Sequence, residues 1–191
     1  MMQALLAHRP FRRSRPFAPL LALGLALGVA SAWADAYTEV TQRIRTGQWS
    51  AAMGLAEQHL EAKPRDPQMR FLKGVIQTET GQTAEALNSF TRLTQDYPDL
   101  PEPYNNLAAL HASQGRLDQA REALDMAVRL NPNDATAQEN LGDVHVSLAR
   151  QAYRKALQLD GGNTSVAAKL ALIQSLLTPA AGQAPARAPK Q

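Results

Sequence analysis

The chain has 191 residues, 45% apolar and 19% charged, without cysteine and with a formal net charge of +3 at pH 7. That length accommodates one domain with a real core, and the missing cysteine excludes disulfides, thiolate metal sites, a cysteine nucleophile and a lipoprotein anchor. Four of the 20 basic residues and none of the 17 acidic residues precede position 35, so residues 35–191 carry 16 basic against 17 acidic side chains, a net −1. The sequence pI of about 9.4 is a property of the amino terminus, and no basic stripe of the kind a phosphate backbone requires runs through the rest.

The amino terminus comes first. Arg9, Arg12, Arg13 and Arg15 make a basic start, Leu20–Ala30 an uncharged apolar stretch, and Ala32-Trp33-Ala34 a small-x-small end. Basic, apolar, then A-x-A is the three-part layout of a secretory signal peptide, and the apolar stretch is short of the roughly 20 residues a bilayer span needs. Residues 1–34 are therefore expected to be a leader cleaved before Asp35. A retained amino-terminal anchor is the alternative. Arg12-Arg13 invites a twin-arginine reading, but Arg15 stands where such signals usually carry an apolar residue, so export in the unfolded state is expected. A leader of bacterial kind would deliver a periplasmic, or secreted, protein.

After the leader a 34-residue period governs the chain. Gly47, Gly81 and Gly115 share that spacing, as do Ala52, Ala86 and Ala120, and Pro64, Pro98 and Pro132. A further column of smaller residues, Val40, Gly74, Ala108 and Gly142, extends one unit beyond the others. Each column has a physical reason. The glycine closes the first helix of a pair, where a left-handed residue without Cβ carries no penalty. The alanine and the small column sit where two helices approach closely. The proline ends the second helix, because it cannot continue the hydrogen-bond ladder. Between the marks apolar residues recur at three and four, as in Leu107, Leu110, then Ala120, Leu124, Ala127 and Val128. Helix–turn–helix units over 35–66, 67–100 and 101–134 follow.

These motifs resemble the tetratricopeptide repeat. The third unit matches best, with Tyr104, Leu107, Ala108, His111, Ala120, Leu124 and Pro132 in the family's pattern. The second keeps Gly74, Ala86, Phe90 and Pro98 but has Lys73 where the family has leucine. The first keeps Gly47, Trp49, Ala52 and Pro64, the wear expected of a terminal repeat. The resemblance implies an all-α helical-repeat solenoid.

The fourth unit, 135–163, departs from the period. Asn140-Leu141-Gly142-Asp143 copies Asn106–Ala109, and Ala149, Tyr153, Ala156 and Leu157 copy Ala120, Leu124, Ala127 and Val128. The five residues that would hold the turn and its glycine are missing. Leu141, Val144, Leu148, Ala152 and Leu159 keep helical spacing across the gap. One continuous helix over about 135–159 is predicted, with a sharply shortened hairpin as the alternative. Gly161-Gly162-Asn163 stops it, and Thr164 or Ser165 can cap a last helix to about 177, whose stripe Val166, Leu170, Ile173 and Leu177 would seal the open end. The Pro- and Ala-rich tail 178–191 has nothing to bury and is expected to be disordered.

No constellation for catalysis stands out. Residues 35–191 hold three histidines, His59, His111 and His145. The last two are 34 apart and equivalent, and a packing role outweighs a ligand role because no carboxylate follows four residues on. Phosphate-binding glycine loops and a serine elbow are absent. No catalytic residue, metal, cofactor or small-molecule substrate is expected. The resemblance implies instead that the first helix of each pair lines a groove. Stepping by 34 gives Tyr37, Phe71, Asn105 and Glu139, then Thr41, Val75, Ala109 and Asp143, then Arg45, Glu79 and Ser113. That surface runs from aromatic and apolar to polar and acidic, suiting a peptide or helix with an apolar anchor and a basic or amide-rich segment. Tyr37 and Phe71 packing internally is the competing reading. Asn106 and Asn140 match the asparagine with which some of the family grip a terminal carboxylate, but the cationic partners are absent. The function expected is a non-catalytic periplasmic adaptor for a protein or peptide in envelope assembly or protein maturation. An accessory subunit of an envelope enzyme, or a membrane-tethered chaperone with an uncut leader, is the alternative.

Overall fold

The computed structural model describes residues 27–177, and they form eight helices joined by short turns. In chain order these are α1 (Leu27–Arg45), α2 (Trp49–Ala62), α3 (Pro67–Glu79), α4 (Thr83–Asp96), α5 (Pro101–Ser113), α6 (Leu117–Leu130), α7 (Ala135–Leu159) and α8 (Thr164–Leu177). Residues 1–26 of the expected leader and the tail from 178 lie outside the described residues, and 27–34 are the first turns of α1.

The turns explain the period. Gly47, Gly81 and Gly115 have φ of 70°, 74° and 72°, the left-handed region that favours glycine. The residue after each donates its N–H to the carbonyl five back: Gln48 to Arg43 at 2.9 Å, Gln82 to Gln77 at 2.8 Å, Arg116 to His111 at 2.9 Å. This closure satisfies carbonyls that the ending helix leaves open. Pro64, Pro98 and Pro132 each stand directly after the residue that ends a second helix. The next helix opens three residues later, with Pro67 and Pro101 in its first turn and Asp66 or Asp134 capping.

Packing follows the repeat. Neighbouring helices pack pair against pair, and the first helices touch across units, α1 with α3 and α5 with α7. Ala52, Ala86 and Ala120 are wholly buried. A cluster of Val40, Ile44, Ala52, Ala56, Met69, Leu72 and Ile76 joins the first two units. A second forms around Phe90, Leu93, Leu107 and Leu110, and a third around Ala108, Ala120, Leu124 and Val144.

α7 is one helix of 25 residues, which excludes the hairpin. Its first half packs on α6 and α5, burying Ala137 and Val144. The apolar stripe expected along its whole length is covered only part of the way. Leu141 and Leu148 are half-buried, whereas Ala152 is exposed and Leu159 is 77% exposed. α8 packs back along α7 with Val166, Leu170 and Ile173 half-buried. Its cap is neither Thr164 nor Ser165 but Asn163, whose Oδ1 accepts from the Val166 N–H at 3.1 Å. An Asn one residue earlier reaches the third N–H of the helix, as a cap must.

Candidate functional site

The first helices place the groove residues in rows, but not all are equally available. Tyr37, Phe71 and Asn105 are half-buried and Glu139 is exposed. In the next row Thr41 and Val75 are half-buried, and Ala109 and Asp143 exposed; Arg45, Glu79 and Ser113 are exposed. The internal-packing reading of the aromatics is partly realised. Phe71 packs on the second core cluster, its ring tilted 58° to Phe90 at 5.7 Å, and Val75 joins it there. Tyr37 packs on the first cluster. Asn105 accepts from Asn140 Nδ2 at 2.9 Å, an amide bridge from α5 to α7. Asn106, which shares Asn140's place in the repeat, donates instead to its own helix at Glu102 O, 2.9 Å away. The two asparagines thus have different work, and neither stands in a carboxylate grip.

Tyr37 also belongs to a cluster that repeat reasoning did not reveal. Its hydroxyl donates to Asp66 Oδ2, and the same oxygen lies 2.8 Å from His59 Nε2. Asp66 Oδ1 accepts from the Met69 N–H at 3.1 Å, capping α3. The Tyr37 and His59 rings lie 5.4 Å apart. One carboxylate therefore ties α1, α2 and α3 together. Burial pushes the Tyr37 hydroxyl up to about 12, helped by its bond to the Asp66 carboxylate. Burial alone would raise Asp66, but hydrogen bonds from Tyr37, the Met69 N–H and His59 outweigh it and hold the carboxyl below its ordinary range. The sequence signal was Asp66-Pro67, an acid before a proline that opens a helix.

The two 34-spaced histidines do not share an environment. His111 is half-buried with Nδ1 enclosed and unpartnered; burial, then the charge of Arg116, lowers its pKa. His145 is exposed. Lys73, the departure from the repeat pattern, is bridged to Glu57 of α2 at 2.8 Å. Among the described residues no group of three or more His, Asp or Glu could hold a metal ion, and no helix is long and apolar enough to cross a membrane.

Two tetratricopeptide repeat profiles match residues 37–101 and 77–141, which together span more than half of the chain. The tetratricopeptide repeat domain-containing protein PYG7 of Arabidopsis thaliana chloroplasts is 29% identical over 132 residues, covering 65% of this chain and 39% of its own. The chain thus spans about two fifths of that relative. The first TPR domain of Spaghetti (RPAP3), solved with the HSP90 peptide SRMEEVD, superposes with a TM-score of 0.56 at 16% identity, covering 60% of this chain and 90% of that one. The Yersinia enterocolitica type III secretion chaperone SycD, solved with a peptide of the translocator YopD, gives 0.55 at 18% identity, covering 65% and 95%. At these identities the likeness concerns the fold.

Proposed function

The chain belongs to the tetratricopeptide repeat family, and from that premise we propose that it is a non-catalytic adaptor holding a peptide or helix of another protein along α1, α3 and α5. The observation that carries this reading is the row structure of those helices. Tyr37, Phe71 and Asn105, then Thr41, Val75 and Ala109, repeat at 34-residue steps and keep part of their surface open. The spine beneath them is close-packed through Ala52, Ala86 and Ala120. A rigid spine with a graded surface presets a partner's pose and lowers the ordering cost of binding. Two solved proteins of this fold hold peptides.

Phe71→Ala is a poor probe of the groove, because it also removes packing against Phe90. Ala109 is exposed. Ala109→Arg should leave the fold intact and weaken partner capture about tenfold or more by steric and charge intrusion. A photo-crosslinker at Ala109 should capture the partner, whereas one at Glu122, exposed on α6, should not. Equal capture from both positions would place binding elsewhere.

We place this adaptor in the periplasm of a bacterial cell, serving envelope assembly or protein maturation, on the strength of the basic, apolar, Ala32-Trp33-Ala34 layout. Cleavage after Ala34 would cut within α1 and leave the buried Val40 and Ile44 on the shortened helix. Protein recovered from a bacterial periplasmic fraction should begin at Asp35 by intact-mass measurement. A membrane-bound chain that retains residues 1–34 would favour the tethered chaperone.

A further inference from the structure

The carboxyl-terminal end of the solenoid is unfinished. In the first three units the small column is buried: Val40 is wholly covered, Gly74 is buried under Phe90, and Ala108 is 1% exposed. Gly142, the fourth member, is exposed, and a Cβ there would meet nothing within 4 Å. The reason is the missing turn. The segment that would fold back as a second helix runs on as the far half of α7. Alongside lies α8, which carries one charged residue, Lys169, and presents Leu172 at 67% exposure. Leu159 at the end of α7 is 77% exposed. Terminal elements of a repeat array ordinarily present a polar outer face, and these two exposed leucines interrupt it.

The charges of α7 say what covers this end. Glu139, Asp143, Arg150 and Arg154 are spaced by four, seven and four, which places them in one stripe about 60° wide. Glu139, Asp143 and Arg154 are exposed and Arg150 half-exposed, and none makes an ion pair within the described residues. Within the helix the pattern is unfavourable, because Glu139 and Asp143 set like charges four apart, and so do Arg150 and Arg154. Reversed end for end, however, the stripe is its own complement. Glu139 against Arg154 and Asp143 against Arg150 share a single midpoint, between Val146 and Ser147. Both pairs therefore form twice about one two-fold axis, the requirement of an isologous contact.

We propose that the chain forms a symmetric dimer in which α7 lies antiparallel to α7 of a second copy. The acidic half of each stripe meets the basic half of the other, and the open surface at Gly142 and the outer side of α8 flank the contact. Glu139 and Asp143 then serve the dimer, and α1, α3 and α5 remain as the groove. The proposal does not rest on the groove reading, and crosslinking from Ala109 tests that reading separately.

The test is sedimentation of the full chain and of two charge reversals, Asp143→Arg and Arg150→Asp. The unaltered chain should sediment at twice its own monomer mass. Its dissociation constant should rise about tenfold or more between 50 and 500 mM salt, since exposed pairs are screened. Each reversal alone should weaken self-association about a hundredfold or more, because like charges then meet twice across the axis. Both should keep the helical circular dichroism of the parent. Mixed in equal amounts, the two variants should dimerise with each other, since every contact across the axis is then again between opposite charges. A monomer at 100 μM would overturn the proposal. So would a dimer indifferent to either reversal, or two folded variants that remain monomeric when mixed.

Discussion

Phe90→Ala should lower the unfolding free energy by about 3–5 kcal/mol, the range for emptying a fully buried aromatic site. The ring is wholly buried on α4, stacked obliquely on Phe71 and seated against Gly74 of α3. A Cβ built on Gly74 would lie 2.7 Å from Phe90 Cε1 and 2.8 Å from Cζ, so the glycine is the socket for the ring. Gly74→Ala is therefore a sign test. In a helix interior this exchange ordinarily stabilises by about 1 kcal/mol. Here overpacking of about 1–3 kcal/mol opposes it, and the net effect should be destabilising. Phe90→Leu, which narrows the side chain, should relieve the clash. The double variant should be more stable than the sum of the two single effects by about 1 kcal/mol or more. Urea unfolding of the four proteins measures this directly. A stabilising Gly74→Ala would mean that the ring has room to move.

The same pair shows how far the sequence could be read. The columns Gly47, Ala52 and Pro64, each repeated at 34, carry local requirements: a left-handed turn, a close helix approach, a helix end. Those requirements do not depend on distant parts of the chain, so φ of 70–74° and complete burial of the alanines follow from residue type and spacing. The continuous α7 was legible for the same reason, since a missing turn leaves nothing to reverse the chain. Availability in the groove was not legible. Phe71 and Tyr37 occupy positions the repeat assigns to the open surface, yet each reaches a particular neighbour, Phe90 or Asp66. Those contacts depend on side-chain length across three helices, which a period cannot encode. Gly142 departs from its column for a related reason. Its column predicts burial, but burial needs a covering helix, and the deletion removed it.

Asp66→Ala should cost about 3 kcal/mol, the second largest effect expected of a single change. Loss of the α3 cap accounts for about 1 kcal/mol. The rest comes from leaving the Tyr37 hydroxyl and His59 Nε2 enclosed without their shared acceptor, at about 1–3 kcal/mol. Asp66→Asn should be milder, because its amide oxygen can still accept from the Met69 N–H while its amide nitrogen cannot replace the accepting oxygen. The charge has its own signature in pH. The folded-state pKa of Asp66 is lowered, so its contribution is present above the unfolded value of about 3.9 and disappears as pH falls through the folded value. Tyr37 is raised to about 12, so its contribution is present below about pH 10 and disappears as pH climbs toward the folded value. Both are intact at neutral pH. Thermal or urea unfolding from pH 2 to 5 should show a shallower acid limb in Asp66→Asn than in the parent. A parent and variant that lose stability in parallel below pH 4, or an Asp66→Ala cost under about 1 kcal/mol, would show that the carboxylate does not join the three helices.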